Sequence, residues 1–311
     1  ISIELYDTEE SKVVWSDRWQ EDWVNLPTIR GNLSDGLLKA IGSTANSRNK
    51  FETANAEAYE YYLRAYYKYL KRKDTEDTEI ARGLLTKSIE LDDNLLVAKK
   101  ILGETYMEMG DYDHAMKIFS QNLKQAKNND DKYAEGFCLR SIGDINWRKG
   151  DLNLALNNFR NSLKIEKKLN NKLGIGNALG NIANIYWSKG DFDKAIGYHE
   201  RSLKIRQECG DKESIGSALL NLGTCYYRKG VIDKAFDYYN RSLKIFTNLN
   251  HNRGIAHAIG NIGNIYWDKE DYDEALNYHL RSLEIREKLG DKRAVGHALG
   301  NIGLLYKIKG V

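Results

Sequence analysis

Residues able to do chemistry are scattered along this chain of 311 residues, but few stand at spacings a reaction requires. The six histidines form no HExxH pair or other ligand spacing. His257 and His297 lie 40 residues apart and read as one inherited position rather than as metal ligands. Gly174-Ile175-Gly176 and the step from Gly176 to Gly180 miss the GxGxxG spacing and lie in a helical pattern instead of following a strand, so no phosphate loop is expected. Asp191 and Asp193 stand at a helix start, where acids favour the backbone dipole without catalysis. Cys138, Cys209 and Cys225 are odd in number, show no CxxC spacing and fall inside helical patterns. They read as reduced packing residues of a cytoplasmic compartment. No catalytic residue, metal or cofactor is expected, and the chain is read as a non-enzyme.

The chemistry that remains is hydrogen bonding. Asn181, Asn221, Asn261 and Asn301 recur at one point of successive helices, on the face opposite a stripe of Leu179, Ile182 and Tyr186. Asn184, Asn264, His257 and His297 share that face. An amide both donates and accepts, so such a row can hold an extended peptide backbone, or it can bridge neighbouring helices. Arg140, Arg148 and Arg228 give the row a basic bias toward one end. Gly180, Gly260 and Gly300 sit in mid-helix, where glycine costs about 1 kcal/mol relative to alanine, and a compensating close approach is expected there. Trp147, Trp187 and Trp267, with Tyr227 between them, either pack between repeats or line the same face. With 47 basic and 44 acidic residues interleaved, no basic stripe tracks phosphates, and nucleic acid is an unlikely partner. No stretch approaches a membrane span, and no basic-then-apolar start marks a secretory signal.

The elements that position this row repeat every 40 residues. Gly103, Gly143, Ala183, Gly223, Gly263 and Gly303 fall in register, as do Ala115, Ala155, Ala195, Ala235 and Ala275. Leu179, Ile182, Ala183 and Tyr186 follow the i, i+3, i+4, i+7 spacing of a buried helical stripe. Gly150 and Gly190 fit the left-handed residue that ends one helix, and Asp151 and Asp191 can cap the next. Gly210-Asp211 and Gly290-Asp291 do the same between units. Glu270 replaces a turn glycine and Val231 a capping aspartate, so those two turns should be weaker. One helix pair cannot bury its own stripe; stacked pairs can, as a solenoid.

The stretch from Asn181-Ile182-Ala183-Asn184-Ile185-Tyr186-Trp187 to Ala195 and His199, and its counterpart from Asn261-Ile262-Gly263 to Ala275 and His279, resemble the tetratricopeptide repeat. The unit is 40 rather than 34 residues and lacks the helix-ending proline, Pro27 being the only one. Such long units look like those of kinesin light chains and Pins-type spindle-orientation adaptors, which bind peptides. The resemblance implies an all-α, right-handed superhelical solenoid whose asparagine row faces a concave groove, and a scaffold that binds a peptide or partner domain there.

Residues 55 to 95 read as a 34-residue unit, with Ala81, Leu85 and Ser88 at second-helix positions. The tyrosines from Tyr59 to Tyr69 surround its first helix, so another segment should cover them. Residues 1 to 50 differ in kind. Ile3, Leu5, Val13 and Trp15 suggest two strands joined by Thr8-Glu9-Glu10-Ser11, followed by a helix from about Pro27 to Ile41, all packing on the tyrosine-rich helix. The 51–95 unit and the 96–311 array would follow. Leu5-Tyr6-Asp7, Val14-Trp15-Ser16-Asp17-Arg18-Trp19 and Asp35-Gly36-Leu37-Leu38-Lys39-Ala40-Ile41 look like the end of a TolB-like amino-terminal domain, and Ala58-Tyr59-Glu60-Tyr61-Tyr62-Leu63-Arg64 like its join to repeats in bacterial signalling proteins. In that group the region follows a cyclase, kinase or winged-helix domain, so the partner could be the protein's own effector. The chain starts at isoleucine and stops at Gly310-Val311, where a second helix should begin, and is read as cut at both ends. The last helix, roughly Lys292 to Lys309, should then leave Leu299, Ile302 and Tyr306 partly uncovered and prone to self-association.

Overall fold

A computed structural model describes residues 2–7, 12–18, 55–72 and 75–310. Strands β1 (Ser2–Asp7) and β2 (Lys12–Arg18) pair antiparallel, from Ser2 opposite Arg18 to Asp7 opposite Lys12, with an irregularity between Leu5 and Tyr6. The helix expected over Pro27–Ile41, and its packing on the tyrosine-rich helix, lie outside the described residues.

The remaining elements are helices: α1 (Ala56–Leu70), α2 (Thr75–Leu91), α3 (Leu96–Glu108), α4 (Tyr112–Asn128), α5 (Lys132–Lys149), α6 (Leu152–Lys168), α7 (Lys172–Ser188), α8 (Phe192–Cys209), α9 (Lys212–Arg228), α10 (Ile232–Asn248), α11 (Asn252–Asp268), α12 (Tyr272–Lys288) and α13 (Lys292–Lys309). No helix among the described residues is long and apolar enough to cross a membrane. The chain divides into two compact units, one up to Ile145 and one from Asn146.

The turns follow from local sequence. A left-handed residue recurs at positions 110, 130, 150 and so on to 310, each closing a helix. Gly190 has φ 77°; its N–H donates to the Trp187 carbonyl at 2.9 Å, and the Asp191 N–H to Tyr186 at 2.9 Å. Asp191, Asp211 and Asp291 then accept from the backbone N–H three residues on, as expected. Asp151 occupies the capping position but makes no such bond, contrary to expectation. At the two irregular turns Glu270 is forced to φ 60° and Val231 caps nothing.

In three of the pairs a glycine on the first helix meets a ring on the second. A methyl group at Gly103 would stand 2.5 Å from the Phe119 ring, at Gly223 2.6 Å from Tyr239, and at Gly263 3.1 Å from His279. A second contact recurs beside it. The buried hydroxyls of Ser202, Ser242 and Ser282 donate to the carbonyls of Gly176, Gly216 and Ala256 at 2.8, 2.8 and 2.9 Å, and Ser88 does the same to Ala58 at 2.7 Å. Ala81, Leu85 and Ser88 are fully buried, as the reading of the early unit requires. In α1, Tyr59 and Tyr69 are buried while Tyr67 is 66% exposed.

Two packing expectations are corrected. Cys138 and Cys225 are buried, and burial pushes both thiols up to about 12, but Cys209 ends α8 exposed. Ile302 is buried rather than uncovered, because α13 packs on α12 and Ile302 lies on the covered side; Leu299 and Tyr306 are exposed as expected.

Candidate peptide-binding face

In the second unit the first helices of successive pairs, α7, α9, α11 and α13, each turn a polar face away from the core. On α7, Leu179, Ile182 and Ala183 are buried, whereas Asn177, Asn181 and Asn184 are half-buried. Asn221 on α9 and Asn261 and Asn264 on α11 repeat that half-buried setting; Asn301, His257 and His297 are exposed. Arg148, near the end of α5, and Arg228, at the end of α9, are exposed too.

Hydrogen bonding distinguishes the members of this row. Asn181 is engaged within the chain. Asn184, Asn221, Asn261 and Asn264 have no side-chain partner among the described residues. Their donors and acceptors are thus fixed in direction by the helices and open to whatever lies on the face. The acid Asp268 and the base Arg228 end neighbouring first helices of this unit.

The mid-helix glycines do not all meet the expected close approach. A methyl group at Gly300 would have nothing within 4 Å, one at Gly180 would lie 3.6 Å from Arg206 Nη2 and Ser202 Oγ, and one at Gly260 3.3 Å from Ser282 Oγ. The neighbour at Gly180 and Gly260 was missed from sequence: an arginine from the second helix. Arg206 of α8 donates Nε to Ser202 Oγ and Nη2 to Asn177 Oδ1, both at 3.0 Å. Of the tryptophans, Trp147 donates to Ser188 Oγ at 3.0 Å and Trp267 meets Tyr272 edge-on, while Trp187 is 39% exposed.

The first unit carries a different first-helix face. Arg140 on α5 is half-buried, with its guanidinium 5.2 Å from the centre of the Phe137 ring, and Lys100 of α3 stands 4.4 Å from the same ring. Burial raises the Glu104 carboxyl above its ordinary range, with Lys100 and Arg140 opposing. Arg72 pairs with Glu108 at 2.8 Å, and the Tyr69 hydroxyl donates to the same carboxylate at 2.7 Å.

The tetratricopeptide repeat profile matches residues 94–168, 174–248 and 254–310. The chain belongs to the tetratricopeptide repeat family. No curated protein sequence matches it. Among solved structures, this tetratricopeptide repeat chain is similar to a signal-transduction ATPase with numerous domains that carries a tetratricopeptide repeat sensor, from Pyrococcus horikoshii. The TM-score is 0.65 at 17% identity, covering 92% of this chain and 43% of that one. A Rap protein complexed with competence and sporulation factor gives a TM-score of 0.61 at 15% identity over 94% and 88% of the two chains. BtubC from P. vanneervenii gives 0.56 at 23% identity over 64% and 84%. These likenesses establish a shared fold.

Proposed function

We propose that this chain is a protein–protein interaction scaffold that holds an extended peptide, or a segment of a partner domain, along the first-helix face of its second unit. The observation that carries the reading is unspent hydrogen-bonding capacity. Asn184, Asn221, Asn261 and Asn264 are half-buried on rigid helices yet have no partner among the described residues. Amides whose task was to bridge repeats would be bonded to the neighbouring helix, as Arg206 is to Asn177. His257, His297 and Asn301 extend the row, Arg148 and Arg228 bias it, and Asn181 stands within it already engaged. The Rap protein solved with competence and sporulation factor, and the ATPase whose repeats serve as a sensor, offer precedents for a ligand-holding repeat array.

On this reading the array is the regulatory or sensory part of a larger bacterial signalling protein in the cytoplasm, without catalysis of its own. The TolB-like pattern of Leu5-Tyr6-Asp7 and Val14–Trp19 favours an effector such as a nucleotide cyclase elsewhere in that protein. The test replaces Asn221 and Asn261 together by alanine and measures melting and affinity for a peptide selected from a random library. Lost binding with an unchanged melt is the expected result. Lost stability with binding intact would assign the row to bridging.

A further inference from the structure

The glycines of the polar face and the arginines behind it alternate together. Where the second helix carries Arg206, the first helix has Gly180; where it carries Arg286, the first helix has Gly260. In the pair between them the second helix has Phe246 instead, and the first helix has Leu220. Distances explain the match. A methyl group at Gly180 would be 3.6 Å from Arg206 Nη2, and one at Gly260 3.5 Å from Arg286 Nη2. Each guanidinium therefore lies against the space that a side chain at the glycine would enter, on the face that carries Asn181 and Asn261. Phe246 turns elsewhere, its ring meeting the positions that methyl groups at Gly216 and Gly254 would take, at 2.9 and 2.4 Å.

Neither guanidinium has an ion-pair partner among the described residues; Asp211 and Asp291 act on them only through space. Arg206 spends two donors, on Ser202 and Asn177, leaving Nη1 without a partner among the described residues. Arg286 gives Nη1 to the Ala294 carbonyl at 3.0 Å, and its Nε is buried without a partner among the described residues. Burial lowers both guanidinium pKa values from the ordinary arginine range, a sign that the charges are held partly out of water. A half-buried arginine with unspent donors fits a carboxylate better than any neutral group, because the planar fork binds both oxygens.

We infer that Gly180 with Arg206, and Gly260 with Arg286, form two carboxylate-binding windows in the peptide face, so that the extended ligand carries two acidic side chains separated by the stretch that crosses Leu220. This rests on the peptide-binding reading of the face and adds the chemistry of its ligand.

The experiment selects binders for the whole chain from a random, carboxyl-amidated peptide library, so that any carboxylate belongs to a side chain. Affinity for one selected peptide is then compared with that for its counterpart in which Asp and Glu become Asn and Gln. The wild type is expected to favour the acidic peptide by about tenfold, as for a charge-assisted hydrogen bond against a neutral one. The combined change Arg206→Met and Arg286→Met should reduce that preference to about twofold or less. Gly180→Leu with Gly260→Leu fills the windows and should do the same, with circular dichroism showing that the helices are kept. Binders without acidic enrichment, or a preference that survives both double variants, would overturn the inference while leaving peptide binding in place. A wild type that selects no peptide at all would remove the binding face, and the windows with it.

Discussion

The two units present first-helix faces of opposite character. In the first, the charges have partners: Glu108 is held by Arg72 and Tyr69, and Lys100 and Arg140 share the ring of Phe137. In the second, Asn184, Asn221, Asn261 and Asn264 are open among the described residues. One backbone plan thus supports a face whose polar groups are satisfied within the chain and a face whose groups are not. What a repeat can bind is set by whether its outward groups are already spent, more than by how many there are.

The largest expected difference between the units is under acid. In the second unit His199 and His279 are 2% exposed and take the place held by Phe119 in the first. Burial, reinforced by the positive charge of Arg206, lowers the His199 pKa from 6.5 to about 4, and burial and Arg286 lower that of His279. The folded state therefore favours the neutral ring. Its contribution is fully present above pH 6.5 and is lost as the pH falls toward 4, amounting to roughly 3 kcal/mol for His199. Hydrogen exchange should show α7 and α8 opening before α3 and α4 over that interval. His199→Phe should abolish the difference, and equal acid sensitivity in both regions would count against it.

A smaller effect separates glycines within the second unit. Gly223→Ala drives a methyl group into the Tyr239 ring and should cost about 2 kcal/mol in denaturant unfolding. Gly300→Ala meets nothing within 4 Å and should gain up to about 1 kcal/mol. Matching signs would mean that helix propensity, not the ring contact, governs the first helices.

The smallest effect belongs to the satisfied face. Glu108→Gln removes a half-exposed ion pair and should change stability by about 0.5 kcal/mol. Peptide binding should be unaltered; a weakened peptide complex would show that the ligand path includes the first unit.

The sequence made the repeat, the turns and the polar row legible because each is written within one helix or one turn. The 40-residue register, Gly190 with Asp191, and the run from Asn181 to Trp187 need no knowledge of neighbours. Arg206 and Arg286 escaped because each helix was read alone, and their glycines lie 26 residues earlier on the partner helix. The paired alternation of Gly180 with Arg206, Leu220 with Phe246 and Gly260 with Arg286 was the available signal. Ile302 was misjudged because exposure at the end of an array depends on which side of the helix faces α12. The engagement of Asn181 and the openness of Asn221 are likewise tertiary facts, invisible in two identical letters.

The hydroxyl-to-carbonyl contacts of Ser202, Ser242 and Ser282 all span 26 residues and repeat at a 40-residue step. A whole step can be removed or duplicated at the level of the gene with every surviving contact finding an equivalent mate, because each repeat is stabilised by its immediate neighbours. Excising residues 212–251 would place α11 after α8 in the setting α9 now has, bring Gly180 and Gly260 into consecutive repeats, and shorten the ruler against which a ligand is measured. If the face binds as proposed, the length of the array is a heritable dial for the length of what it grips, adjustable by recombination without redesign of the interior.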